Sequence, residues 1–117
     1  MDCKEKIDAL AEEFKGCQKI MNAIGDANRQ YLLLEMMQMG ECGGVRVGKI
    51  TGRTHLSRPA VSHHLQILKD AGIIKVRKEG TRNYYYFDNH MEAFEKLIHM
   101  LELAKDIAGE LPEISEE

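Results

Sequence analysis

A chain of 117 residues with 44% hydrophobic content has the material for one packed core and does not match a disordered or disulfide-scaffolded peptide. Its three cysteines, Cys3, Cys17 and Cys42, are odd in number and form neither a CxxC nor a framework spacing, so the expectation is a reduced, cytoplasmic protein. The formal charge of −3 is strongly segregated: residues 46–82 hold nine basic against two acidic residues, net +7, and the remainder carries net −10.

The opening stretch, MDCKEKIDALAEEF, is charged and periodic rather than an apolar leader. No segment approaches the ~18 continuous apolar residues of a membrane span, so no membrane partner is expected. Residues 4–24 carry Ile7, Leu10, Phe14, Cys17, Ile20, Met21 and Ile24 at helical spacing and predict one continuous helix. Asp26 is placed to cap a second helix through Met39, with Leu33, Leu34, Met36 and Met37 read as core, and GECGG stops it. A short third helix is predicted from Val47 to Arg53 with Ile50 facing inward, followed by a turn at Thr54 to Leu56.

Ser57 then caps a fourth helix, Pro59 sits in its first turn where a missing N–H costs nothing, and Gly72 ends it. Val61, Leu65 and Leu68 form the stripe that packs on the core. At about 100° per residue, Pro59, His63 and Gln66 lie opposite that stripe, flanked by Ala60 and Ser62. An outer face of small or hydrogen-bonding residues, preceded by a short helix and a tight turn, suits insertion into the DNA major groove. His64 faces partly inward and is read as a packed, hydrogen-bonded histidine.

In IIKVRKEGTRNYYYFD, alternation and an aromatic run on either side of a Gly-containing turn predict a β-hairpin over residues 73–88. Directly after a helix-turn-helix over 47–72, such a hairpin is a wing whose basic tip places Lys78, Thr81 and Arg82 at the DNA backbone or minor groove. A final helix from Met91 to Leu111 carries Phe94, Leu97, Ile98, Leu101, Ala104, Ile107, Ala108 and Leu111. That face is too apolar to leave in water, so it is expected to pair with the first helix and with a second subunit through Leu97, Leu101, Ala104 and Ile107. Residues 112–117, PEISEE, form an acidic tail.

The string LSRPAVSHHLQILKDAGIIKVRKEGTRNYYYFD, together with IGDANRQYLLLEMM and its Arg29, resembles the ArsR/SmtB family of dimeric winged-helix transcriptional repressors over about residues 20–100. The resemblance implies a mostly α winged helix-turn-helix fold with a β-hairpin wing, forming one domain over 1–117. Its helices at about 4–24 and 90–111 would make the dimer. It also implies a homodimer on double-stranded DNA, reading an inverted-repeat operator with half-sites about one helical turn apart. Arg58, Ser62, His63 and Gln66 would meet bases or phosphates, and Pro59 and Ala60 lie on the same face.

Many members of the family release DNA on binding metal. Where the family's thiolate site places two cysteines at the start of the third helix, this chain has Arg46 and Gly48 in VRVGKI, and an arginine cannot ligate a soft metal. Asp88 and His90 with His99 and Glu102 resemble the second family site, two residues short in separation. Two residues turn a helix by about 200°, placing His99 on the wrong face. The expectation is therefore no metal and no cofactor, and the effector stays open. Cys3 and Cys17, on one predicted helix, would stand roughly 21 Å apart along its axis, far beyond the ~6 Å between α-carbons that a disulfide spans. No phosphate-binding Gly-rich loop, nucleophile elbow or paired catalytic carboxylates occur, which excludes the common enzyme classes. The competing reading is a winged-helix protein-interaction or RNA-binding module without operator specificity.

Overall fold

A computed structural model describes residues 2–115. Six helices and three short strands follow in the order α1 (Cys3–Gly16), α2 (Gln18–Ile24), α3 (Ala27–Met39), β1 (Val45–Arg46), α4 (Val47–Gly52), α5 (Arg58–Asp70), β2 (Ile74–Glu79), β3 (Arg82–Phe87) and α6 (Glu92–Glu110). Of the expected acidic tail, Glu116 and Glu117 lie outside the described residues.

The first helix departs from the sequence expectation, because it breaks at Gly16–Cys17 into α1 and α2. Gly16 is the weakest helix former in the stretch, and the break lets two different contacts be made. α1 buries no residue fully and runs along α6, whereas α2 turns Ile20 and Ala23 into the core against α3, α5 and α6. Cys17, at the break, is buried while Cys3 and Cys42 are exposed, and all three thiols are free. Cys3 opens α1 and Cys17 directly follows its last residue, so the rise of roughly 21 Å expected between them along one helix still applies, and the bend comes after it.

Short-range chemistry sets the other boundaries. The Asp26 carboxylate accepts the Arg29 N–H at 3.0 Å and starts α3. On α3, Leu32, Leu33 and Met36 are buried, but Leu34 and Met37, expected in the core, face solvent. Ser57 Oγ accepts the Ala60 N–H at the start of α5. At its end Ile73 N–H reaches Leu68 O at 3.1 Å and Gly72 N–H reaches Lys69 O at 3.0 Å, a Schellman closure in which buried Ile73 and Leu68 are brought together.

The wing hairpin turns through Gly80 and Thr81, with Glu79 paired to Arg82. Gly80 has φ +60° and Thr81 a negative φ, the pattern of a type II′ turn, which requires a residue tolerant of positive φ at its first position. A strand not foreseen from sequence, β1, adds to β3 through Val45–Tyr85 and Arg46–Tyr84, giving the antiparallel order β1-β3-β2. Gly44 makes this approach possible, since a Cβ there would stand 2.9 Å from Tyr84 Cβ. Leu32, Ile50, Val61, Leu65, Leu68, Ile73 and Ile74 are the fully buried centre onto which α2, α3, α5 and the sheet converge.

α6 begins after Met91, which has φ +51° and offers no side-chain cap. The helix divides its apolar residues between the chain's own core and an uncovered stripe. Leu97 and Ile107, at 8% and 5% exposure, are covered within the chain itself. Leu101, 54% exposed, and Ile98 form the uncovered stripe, with Ala104 half-buried between the two groups. Ile7 and Phe14 of α1, the helix beside it, are likewise exposed.

Candidate nucleic-acid interface

The candidate surface begins with how α5 is held. Val61, Leu65 and Leu68 lock its inner face, leaving Arg58, Pro59, Ser62, His63 and Gln66 exposed and Ala60 half-buried. All but Arg58 are residues that the periodicity placed outward. Gln66 is already engaged, its Nε2 donating to Asp70 Oδ1 at 2.8 Å one turn on, so its amide oxygen is the part left available.

A second anchor comes from Arg29, 7% exposed and the one charged side chain buried among the described residues. Its Nε donates to Ala23 O and its Nη2 to Asn22 O, both at 2.8 Å, so the guanidinium caps the carbonyl end of α2. Its Nη1 lies 3.3 Å from His64 Nδ1 on α5. A guanidinium only donates, so Nδ1 is the unprotonated nitrogen and the proton of a neutral His64 sits on Nε2. This single side chain ties α2, α3 and the recognition helix. Asp26, below it, has its carboxyl held under the ordinary value by the Arg29 backbone N–H and, to a lesser degree, by the nearby Arg29 charge.

At the wing, Lys78, Thr81 and Arg82 are exposed around the hairpin tip. Arg77, not singled out from sequence, stacks its guanidinium 4.6 Å from the Tyr84 ring centroid and donates to Gly43 O at 3.1 Å and to Glu79. It braces the wing against the loop before β1. Pairing of Arg77 with Tyr84 across β2 and β3 needs the strand register, which the sequence does not display. Another basic cluster missed from sequence lies beside the recognition helix, where Arg46, Gly48, Lys49 and Arg58 line one groove. Its only hint in the sequence was the charge segregation itself.

Several of the positions compared with metal sites make other contacts. Arg46 and Gly48 belong to the basic groove. His99 Nδ1 pairs with Glu13 of α1, and Asp88 accepts the His90 backbone N–H at 2.8 Å while lying 3.6 Å from Lys75 Nζ. That N–H, with Lys75 adding to it, holds the Asp88 carboxyl below its ordinary value. Among the described residues no three His, Cys, Asp or Glu side chains gather as a metal site within the chain.

Comparison with known proteins identifies the family. Residues 28–76 match the family described as "Bacterial regulatory protein, arsR family". An HTH-type transcriptional regulator of Methanocaldococcus jannaschii is 40% identical over 91 residues, which are 77% of this chain and 99% of that one. A cadmium resistance transcriptional regulatory protein CadC homolog of Staphylococcus aureus is 34% identical over 104 residues, 86% of this chain and 84% of that one. The solution structure of a homodimeric winged helix-turn-helix DNA-binding domain from Mycobacterium bovis superposes with TM-score 0.55 at 25% identity, covering 94% of this chain and 91% of that one. The chain belongs to the ArsR family of winged helix-turn-helix transcriptional regulators.

Proposed function

We propose that this regulator is a repressor that works in the cytoplasm as a homodimer, covering an inverted-repeat operator with two recognition helices and two wings. The observation that carries the reading is the pairing of two surfaces on one chain. One is the exposed polar face of α5 with a basic wing tip; the other is an uncovered apolar stripe of Ile98 and Leu101 beside exposed Ile7 and Phe14. The first suits base edges and phosphates, and the second suits burial against its own copy. In this reading Arg58, Ser62 and His63 approach the bases, with Gln66 offering its amide oxygen. Pro59 and Ala60 give close approach, and Lys78, Thr81 and Arg82 grip the backbone. At the dimer contact Leu101 and Ala104 act directly, with Leu97 and Ile107 supporting them from within the chain.

Selection of bound sequences from a random duplex library tests it. The expected result is a two-fold symmetric motif with half-sites about one helical turn apart, bound in the presence of excess random DNA. Enrichment of no sequence, with binding lost to random competitor, would replace the reading with a winged-helix module that lacks operator specificity.

A further inference from the structure

We infer that the groove lined by Arg46, Gly48, Lys49 and Arg58 is a seat for one backbone phosphate of the bound duplex, gated by Glu41. The inference rests on the DNA-binding reading above and adds to it a backbone contact in which Arg58, at the edge of the recognition face, joins Arg46 and Lys49, which lie outside that face and the wing. The groove has a volume of about 310 Å³ and is lined by three cationic side chains and one glycine. They come from three successive elements: Arg46 from β1, Gly48 and Lys49 from α4, and Arg58 from the first position of α5. Among the described residues neither Arg46 nor Arg58 has a carboxylate within 4.0 Å, so these two like charges converge there without neutralisation inside the chain. Gly48 borders open space, where a Cβ would meet nothing within 4 Å.

Three cations around an open hollow beside the first turn of the recognition helix are matched by a compact oxyanion. A phosphodiester supplies one with two free oxygens that accept from guanidinium or ammonium donors. The helix before a recognition helix is also the element that crosses the backbone in helix-turn-helix docking. One acid competes for the site: Glu41, in the loop between α3 and β1, pairs with Lys49, and both side chains are about half exposed. An exposed pair of this kind opens at small cost, so Glu41 holds Lys49 until a phosphate takes its place.

The test is the salt dependence of binding to a short duplex of arbitrary sequence, for the full chain and a set of variants. Arg46→Ala and Lys49→Ala should each lower the magnitude of the log–log salt slope by about 0.9 for every phosphate no longer neutralised. Arg46→Lys should retain the slope because the charge remains. Gly48→Glu, which projects a carboxylate into open space, should weaken every duplex alike. Glu41→Gln should tighten binding about two- to fivefold at low salt. Lys105→Ala, an exposed cation on α6, should change nothing. A wild-type chain that binds no duplex at all would overturn the DNA-binding reading itself. A wild-type chain that binds while the Arg46 and Lys49 variants keep its slope would overturn the groove alone. The same holds if inorganic phosphate shifts the Gly48 and Lys49 amide resonances while those slopes stay unchanged, because the groove would then serve a free anion.

Discussion

Arg29 gives the sharpest test of how the recognition helix is held. Arg29→Met keeps most of the side-chain volume and removes every donor. The Ala23 and Asn22 carbonyls then lose partners at 2.8 Å, and His64 Nδ1 loses its neighbour at 3.3 Å. A buried acceptor left unsatisfied costs about 1–3 kcal/mol. The Ala23 bond is fully buried and the Asn22 bond partly so, which places the loss at about 2–4 kcal/mol. For a chain of this length that corresponds to a fall in Tm of roughly 8–16 °C. The assay is urea and thermal unfolding followed by circular dichroism at fixed protein concentration, since an associating protein is stabilised by mass action. Arg29→Lys should recover at most about half of the loss, because an ammonium lacks the fork that reaches two carbonyls at once. Combined with His64→Ala, Arg29→Met should show a coupling of about 0.5–1 kcal/mol, as contacting residues do. If Arg29→Met unfolds within about 0.5 kcal/mol of the parent, an ordinary surface-substitution effect, the clamp does not hold α2 to α5 and the reasoning fails.

His63→Ala should cost about 1–3 kcal/mol on the selected operator with little change on random DNA; equal losses in titrations of both duplexes would remove it from base readout. Arg82→Ala or Lys78→Ala should weaken all sequences alike and reduce the salt slope by about one unit for each phosphate set free, and an unaltered slope would take the wing off the DNA. Leu101→Glu changes a residue 54% exposed in the single chain, so the fold should survive while sedimentation shows monomers and operator binding is lost. A dimer of normal mass that still binds would locate the dimer contact elsewhere. For acid, the carboxyls of Asp26 and Asp88 are both depressed in the folded chain. Their contribution is therefore complete above the unfolded value of about 3.9 and is lost as pH falls through the lower folded values. Asp26→Asn should accordingly be less stable than the parent near neutrality and lose less further stability below about pH 4; parallel acid-unfolding curves would contradict this.

The features legible in the sequence are those whose causes lie within a few residues. The caps of α3 and α5 depend on Asp26 and Ser57 reaching an N–H three residues on, and the inner face of α5 follows from the spacing of Val61, Leu65 and Leu68. The hairpin turn follows from Gly80 between two strand-prone runs. Such interactions are local, so residue type and spacing are enough to place them. The rest depended on partners distant along the chain. The break at Gly16–Cys17 is favoured because α1 finds α6 while α2 finds the core, and β1 exists because Gly44 admits Tyr84 of a strand some forty residues on. On α6 the helical period groups Leu97, Leu101, Ala104 and Ile107 on one side, but only the packing against α1 and α2 determines that Leu97 and Ile107 are covered and Leu101 is not. The Arg29 clamp and the groove of Arg46, Lys49 and Arg58 have the same origin. Composition located positive charge in the middle of the chain, whereas the convergence of three cations on one hollow is a property of the folded backbone, because electrostatics acts through space and not along the sequence.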